Sequence, residues 1–323
     1  MDIVEEKIKT LRPNIKDSSL YAYTNALSRI HRGMKEETDF KDLNFIYKYD
    51  ETMEYLSKHK NNTIKNMLIP ITIILEGINT NEAKILLARY NDVIDKLRFK
   101  INDDITDNVK SEKQSNNWAT KNEIYKVVRD LKKEAEVAFN KESPTSKDLD
   151  KIQQYILAYL YSGKDIKQLR NDYANMKIIR TGLIIDLDDN MNYLILNKGK
   201  PYFLINNYKT SNRYGTMRLS VKTKELKSAL MNYIDKLGDE QDYLFLNHQK
   251  GNPISENGLT KFIAKTFMRK INKQLTPSLL RAIYISNLDF GKLTYKQKNK
   301  IAQEMGHSFD TQQKHYLKLD TEK

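Results

Sequence analysis

Apolar residues recur with a helical period in some stretches and in short β-type runs in others, and the two patterns are segregated along the chain. Near the N-terminus, SSLYAYTNALSRIHRGM sets Leu20, Tyr23, Leu27 and Ile30 at helical spacing behind serines placed to cap a helix. An amphipathic stretch runs from about Phe45 to Leu56. NTIKNMLIPITIILEGI is strongly apolar, and Pro70 within it predicts a kink or a restart. NEAKILLARYNDVIDKLRFKI continues the helical pattern, so about four helices fill residues 1–104. DDITDNVKSEKQSNNW then loses the period and turns polar, which predicts a linker over 105–117.

From residue 118 the pattern is mixed. NEIYKVVRDLKKEAEVAF and SKDLDKIQQYILAYLYSG read as helices, the second with Ile152, Tyr155, Ile156, Tyr159 and Leu160 on one face and Gly163 near its end. MKIIRTG, NYLILN, YFLINNYK and TMRLSV follow as β-type runs punctuated by Asn and Gly, predicting a small antiparallel sheet. Helices resume at TKELKSALMNYIDKLG and ENGLTKFIAKTFMRKI. TPSLLRAIYISNL comes next, with Thr276 as cap and Pro277 in the first turn. TYKQKNKIAQEMGH begins at the cap Thr294 and terminates at Gly306, and a last helix starting near Ser308 carries Tyr316. The predicted fold is mainly α with a small antiparallel β-sheet: a helical domain over 1–104, a linker, and an α+β domain over 118–323.

Charge and composition narrow the function. The 323 residues include 55 Lys+Arg against 42 Asp+Glu, a formal net charge of +13 that favours a polyanionic partner. There is no cysteine, which removes disulfides, thiolate metal sites and a cysteine nucleophile together and fits an intracellular location. No segment approaches the roughly 20 apolar residues of a membrane span. The opening MDIVEEKIKTLRP lacks the apolar core of a signal peptide. No P-loop or cluster of His/Cys ligands is evident, so neither metal nor nucleotide cofactor is implied.

Five side chains then form a chemically coherent series: Arg170, Lys209, Arg281, His307 and Tyr316. A tyrosine hydroxyl can open a phosphodiester and store its energy in a phosphotyrosyl bond. Two arginines can clamp the non-bridging oxygens as charge develops on them. A lysine in a hairpin turn, as predicted for Lys209, is a suitable acid for the leaving 5′-oxygen. A histidine beside the nucleophile can bond the phosphate or manage the tyrosine proton.

The order and spacing of these residues resemble the tyrosine recombinase (integrase) family. The resemblance spans nearly the whole chain. TPSLLRAIYIS is similar to the family's HxxR helix, YLFLNHQKGNPISENGLTKFIAKTF to the segment leading into it, and MGHSFDTQQKHY to its Gly-His box followed by the nucleophile. The chain is also similar to recombinases of large DNA viruses and virophages, which have an arginine in an RNDY or RxDY setting before the first strand. The resemblance implies a core-binding domain that clamps double-stranded DNA with a catalytic domain, self-association on DNA, and integration of a mobile or viral genome. It also implies Thr210, Ser211, Asn212 and Arg213 as DNA neighbours of Lys209.

The chain departs from the family pattern twice. Ser278 stands where the family has a histidine three residues before the second arginine; it can donate a hydrogen bond but cannot take a proton near neutral pH. The first arginine usually follows a glycine by two residues, whereas Gly163 is followed by Lys164 and Asp165. Arg170 is therefore preferred for that position, with Lys164 as the alternative. Two other functions use the same residues: a type IB topoisomerase relaxing DNA, and a catalytically degenerate DNA-binding protein. The long helical N-terminal part and the short stretch after Tyr316 favour the recombinase over the topoisomerase.

Overall fold

The computed structural model describes residues 3–35, 37, 39–106, 108–180, 186–197 and 199–319. The chain divides into two compact units, Met1–Asp107 and Asn108–Lys323.

The first unit is helical: α1 (Ile3–Leu11), α2 (Asp17–Gly33), α3 (Tyr49–Ser57), α4 (Asn61–Glu76) and α5 (Asn81–Thr106), with two short 3-10 turns before α3. Leu20, Leu27 and Ile30 of α2 are buried in its core, against Phe45, Leu68, Ile71, Ile74 and Tyr90. Helix α2 begins one residue before the predicted serine caps: Lys16 holds the cap position without a side-chain bond, and Ser18 and Ser19 lie in the first turn. Of the kink or restart predicted at Pro70, the restart does not occur: helix α4 continues through the proline. An interior proline costs about 3 kcal/mol, but Leu68, Ile71, Ile74 and Leu75 are all fully buried. Each contributes about 1.5–3 kcal/mol, so packing outweighs the missing hydrogen bond.

The predicted linker also contains structure. Helix α5 extends to Thr106, and α6 (Glu112–Asn117) forms behind a capping box in which Ser111 and Gln114 satisfy each other's backbone N–H groups. This local hydrogen bonding compensates for the lack of an apolar period. Helices α7 (Lys121–Phe139) and α8 (Ser146–Leu160) start with further capping boxes, at Thr120/Glu123 and Thr145/Asp148, and pack through Val127, Leu131, Ile152 and Ile156.

Strands β1 (Lys177–Ile179), β2 (Asn192–Ile195), β3 (Tyr202–Ile205) and β4 (Met217–Ser220) form one sheet in that order. The sheet is mixed rather than purely antiparallel, because β1 pairs with β2 in parallel, Ile178 opposite Leu194. Twelve residues, 180–191, separate these strands, enough for the chain to return and start β2 beside the start of β1. The turn-rich composition of that connection had suggested a hairpin. Thr181 and Gly182 of the first β run, and residues 320–323, lie outside the described residues. Leu194, Phe203 and Ile205 face the main core of this unit; Tyr193, Ile195 and Tyr202 face a smaller cluster on the other side.

Between β3 and β4 lies α9 (Ser211–Tyr214), followed after the sheet by α10 (Lys224–Leu237). A short hairpin, β5 (Leu246–Asn247) with β6 (Asn252–Pro253), precedes α11 (Glu256–Ile271) and α12 (Pro277–Ser286). Helix α13 (Tyr295–Glu304) leads to α14 (Phe309–Thr311), which continues as a π-helical turn, Gln312–Tyr316. Among the described residues no helix is long and apolar enough to cross a membrane.

Candidate active site

The site is assembled around the end of α13. Thr294 caps this helix with Gln297, and Gly306 ends it at φ +68°, a left-handed conformation that glycine adopts without penalty. The last carbonyls of a helix lack intrahelical partners and carry its negative dipole end. Here they accept from two cations. Arg281 Nη2 donates to the Met305 carbonyl at 2.9 Å, and Arg170 Nη1 to the Gly306 carbonyl at 3.0 Å. The Thr210 hydroxyl donates to the same Gly306 oxygen at 2.7 Å. A Cβ at position 306 would stand 3.2 Å from the Tyr208 ring, so the glycine also permits the β3–β4 connection to pack against the helix end.

Arg281, on α12, is fully buried. Besides Met305 it donates to the Gln168 carbonyl at 2.5 Å and to His307 Nδ1 at 2.7 Å, while its guanidinium carbon lies 4.8 Å from the centre of the Tyr316 ring. Its Nε has no hydrogen-bond partner. Arg170 is held through its backbone: the Asp172 carboxylate accepts from its N–H at 3.0 Å, and its carbonyl accepts from the Tyr161 hydroxyl. Among the described residues neither arginine forms an ion pair. Burying cations without a paired carboxylate is costly unless an anion completes the site.

His307 is buried, and its pKa falls to about 3 through burial first and then the charges of Arg281 and Arg170. It is therefore neutral. Guanidinium nitrogens only donate, so His307 Nδ1 is the acceptor and the proton sits on Nε2. That Nε2 has no partner. The Tyr316 ring stacks on the imidazole with centroids 5.0 Å apart and planes 28° from parallel. Burial acts most strongly on the Tyr316 hydroxyl and raises its pKa, but the combined influence of Arg281 and Arg170 prevails and holds it below the ordinary tyrosine value. The charges of the two guanidinium groups contribute more to this than their hydrogen bonding to the hydroxyl.

Tyr316 sits at the end of the π-helical turn. Ser308 caps the start of this segment, accepting from the Thr311 N–H at 3.1 Å. Past Tyr316, the Lys318 N–H donates to Ser286 Oγ, on the last residue of α12, at 2.8 Å. Arg281 and the chain beyond Tyr316 are thus tied to one helix.

Arg170, Arg281, His307 and Tyr316 come together; the other predicted residues stand further out. Lys209 is exposed, with no hydrogen bond or ion pair among the described residues, in a connection of residues 206–216 that contains a helical turn and is longer than the hairpin turn predicted for it. Tyr208 anchors that connection, donating to the Gly215 carbonyl at 2.8 Å. Asn212 and Arg213 are exposed, Ser211 is half-buried, and the Thr210 hydroxyl is committed to Gly306. Ser278 is exposed at the start of α12 and lines a cleft with Lys113, Asn117, His315 and Tyr316. Lys164 packs its ammonium over Tyr125 and Tyr159, 4.8 and 5.6 Å from the ring centres. Sequence reasoning missed Gln168, Met305 and Gly306 as acceptors, because backbone carbonyls leave no side-chain signature. Gly306 is marked in the sequence as a helix terminator and as part of the Gly-His box, but not as an acceptor.

No protein-family model matches the chain, and no curated protein matches it. A solved structure described as "Crystal structure of XerA recombinase" is similar over 98% of this chain and 93% of that one, with 12% sequence identity and a TM-score of 0.41.

Proposed function

We propose that this chain is a DNA strand transferase of the tyrosine recombinase type, with Tyr316 as nucleophile. One observation carries the reading. Among the described residues, two guanidinium groups without ion-pair partners and two buried donors without acceptors, Arg281 Nε and His307 Nε2, gather at a half-buried tyrosine whose pKa Arg281 and Arg170 lower. A phosphodiester at this point would supply the missing anion and acceptors.

In the reaction, Tyr316 Oη attacks phosphorus, the bond from phosphorus to the 5′-oxygen breaks, and a 3′-phosphotyrosyl bond forms. Arg170 and Arg281 hold the non-bridging oxygens. His307 is a phosphate donor in this scheme, since its free nitrogen already carries a proton and its other nitrogen is bonded to Arg281. The tyrosine proton leaves to solvent. Lys209, on the connection fastened to Gly306 through Thr210, gives its proton to the departing 5′-hydroxyl. Reversal by the 5′-hydroxyl of another strand completes a recombination step. The excess of positive charge supports binding to the duplex backbone. Integration of a mobile or viral genome, and self-association on DNA, rest on the sequence resemblance.

The test is a pool of nicked duplexes of randomised sequence, in which cleavage releases a short fragment and traps the adduct. Protein joined to DNA is expected, with the nucleotide on the peptide containing Tyr316. No adduct, or an adduct that survives Tyr316→Phe, overturns the assignment. Relaxation of supercoiled DNA with no recombinant product would move the chain to the topoisomerases.

A further inference from the structure

The π-helical turn that presents Tyr316 is poorly held by its own side chains. Gln312 is fully buried, yet neither end of its amide has a partner, and Gln313 Nε2 is likewise unpartnered. The hold comes from elsewhere. In the orientation that satisfies its neighbours, the Asn108 side-chain nitrogen donates to the carbonyls of Gln313 and Leu317, at 2.9 and 3.0 Å. In return the Leu319 N–H donates to the Asn108 carbonyl at 3.0 Å, and Val109 pairs with Leu319 as an isolated parallel bridge. Terminal carbonyls of a helix need outside donors, and here one side chain serves two carbonyls that flank the nucleophile in sequence.

Asn108 adopts φ +51°, a left-handed conformation that asparagine tolerates better than most residues. That backbone turns the side chain and the carbonyl of one residue onto the same short segment. Ser286 holds Lys318, so residues 317–319 are fixed by both α12 and Asn108. Asn108 is also the first residue of the second unit, directly following the N-terminal unit in the chain.

We propose that Asn108 is a positioning residue for Tyr316, keeping its hydroxyl within the field of Arg281 and Arg170 by capping the turn that carries it. The inference rests on the strand-transferase reading above. It makes the stretch of chain between the two units part of the nucleophile's support.

The experiment compares Asn108→Asp and Asn108→Gly with the parent protein on a trapped nicked duplex. Asp keeps the shape and tolerates the left-handed backbone but cannot donate; Gly keeps the backbone and deletes the cap. Both are expected to slow single-turnover cleavage about 10- to 100-fold with unchanged DNA affinity. The alkaline limb of the pH–rate profile should shift upward as the hydroxyl leaves the guanidinium groups. Leu319→Pro, which removes the returning N–H while fixing the local backbone, is expected to slow cleavage several-fold with the same shift. Parent-like rates and an unmoved limb in all three would overturn the inference, as would equal loss of DNA affinity. Failure of the parent protein to form any adduct instead counts against the strand-transferase reading.

Discussion

Arg281 Nη2 and His307 Nδ1 are 2.7 Å apart, and this one contact sets the tautomer of the imidazole. A guanidinium has no lone pair to offer, so the ring must accept at Nδ1 and carry its hydrogen on Nε2. Replacing His307 with Ala removes both the acceptor for Arg281 and the free donor. Cleavage is expected to fall about 10²- to 10³-fold, the usual effect of losing one transition-state donor, with DNA affinity nearly unchanged. Single-turnover cleavage and a filter-binding titration on the same duplex measure the two quantities.

The first basic position can be assigned by two substitutions. Arg170 bonds Gly306 and acts on the Tyr316 hydroxyl, whereas Lys164 lies over Tyr125 and Tyr159. Arg170→Ala is expected to lower cleavage by at least about 100-fold, and Lys164→Ala to leave it within a few-fold. The reverse ranking would transfer the role to Lys164.

Lys209 is tested through the leaving group. Lys209→Ala should slow cleavage of an ordinary phosphodiester and recover much of the loss on a 5′-bridging phosphorothioate, whose sulfur leaves without protonation. Equal defects on both substrates would remove Lys209 from the acid role.

Acid should weaken the fold through two histidines. Burial lowers the pKa of His307 to about 3 and that of His248 to about 4, from 6.5. The folded state therefore binds fewer protons than the unfolded chain between those values and 6.5. This contribution to stability is complete above pH 6.5 and is lost as the pH falls, by up to about 1.4 kcal/mol per histidine per pH unit. Urea midpoints should drop between pH 7 and pH 5, and His248→Gln should flatten part of that slope. Cleavage, in contrast, should show no limb near pH 6.5 from His307. It should rise with pH and level off below 10, since the Tyr316 pKa is lowered.

Gly306→Ala forces a side chain into a left-handed conformation and against the Tyr208 ring. It is expected to cost about 1–3 kcal/mol in thermal or urea unfolding. Cleavage should fall more than that loss explains at temperatures where the protein is still folded.

Much of the helical order, and the chemistry-bearing side chains, could be read from local pattern. Thr276 with Pro277, Thr294 and Ser308 marked helix starts that the structure has at those residues. What local pattern missed depends on partners distant in sequence. Pro70 continues a helix because buried neighbours hold it, and β1 can run parallel to β2 because twelve residues separate the two strands. The linker contains α6 because Ser111 and Gln114 cap each other. The bonds that gather the site end on the carbonyls of Gln168, Met305 and Gly306, so no residue identity announces them. Asn108 looked like ordinary linker polarity for the same reason: its partners are more than 200 positions away.

The Gly306 oxygen has two lone pairs, and Arg170 and Thr210 both donate to it. A segment preceding the sheet and a segment following its third strand are therefore registered on one main-chain atom. No substitution can delete that atom. The focal point of the arrangement can persist while surrounding side chains diverge, so long as position 306 keeps a residue that tolerates the left-handed turn. Descent would then be traced more reliably in the spacing of the site than in the letters around it.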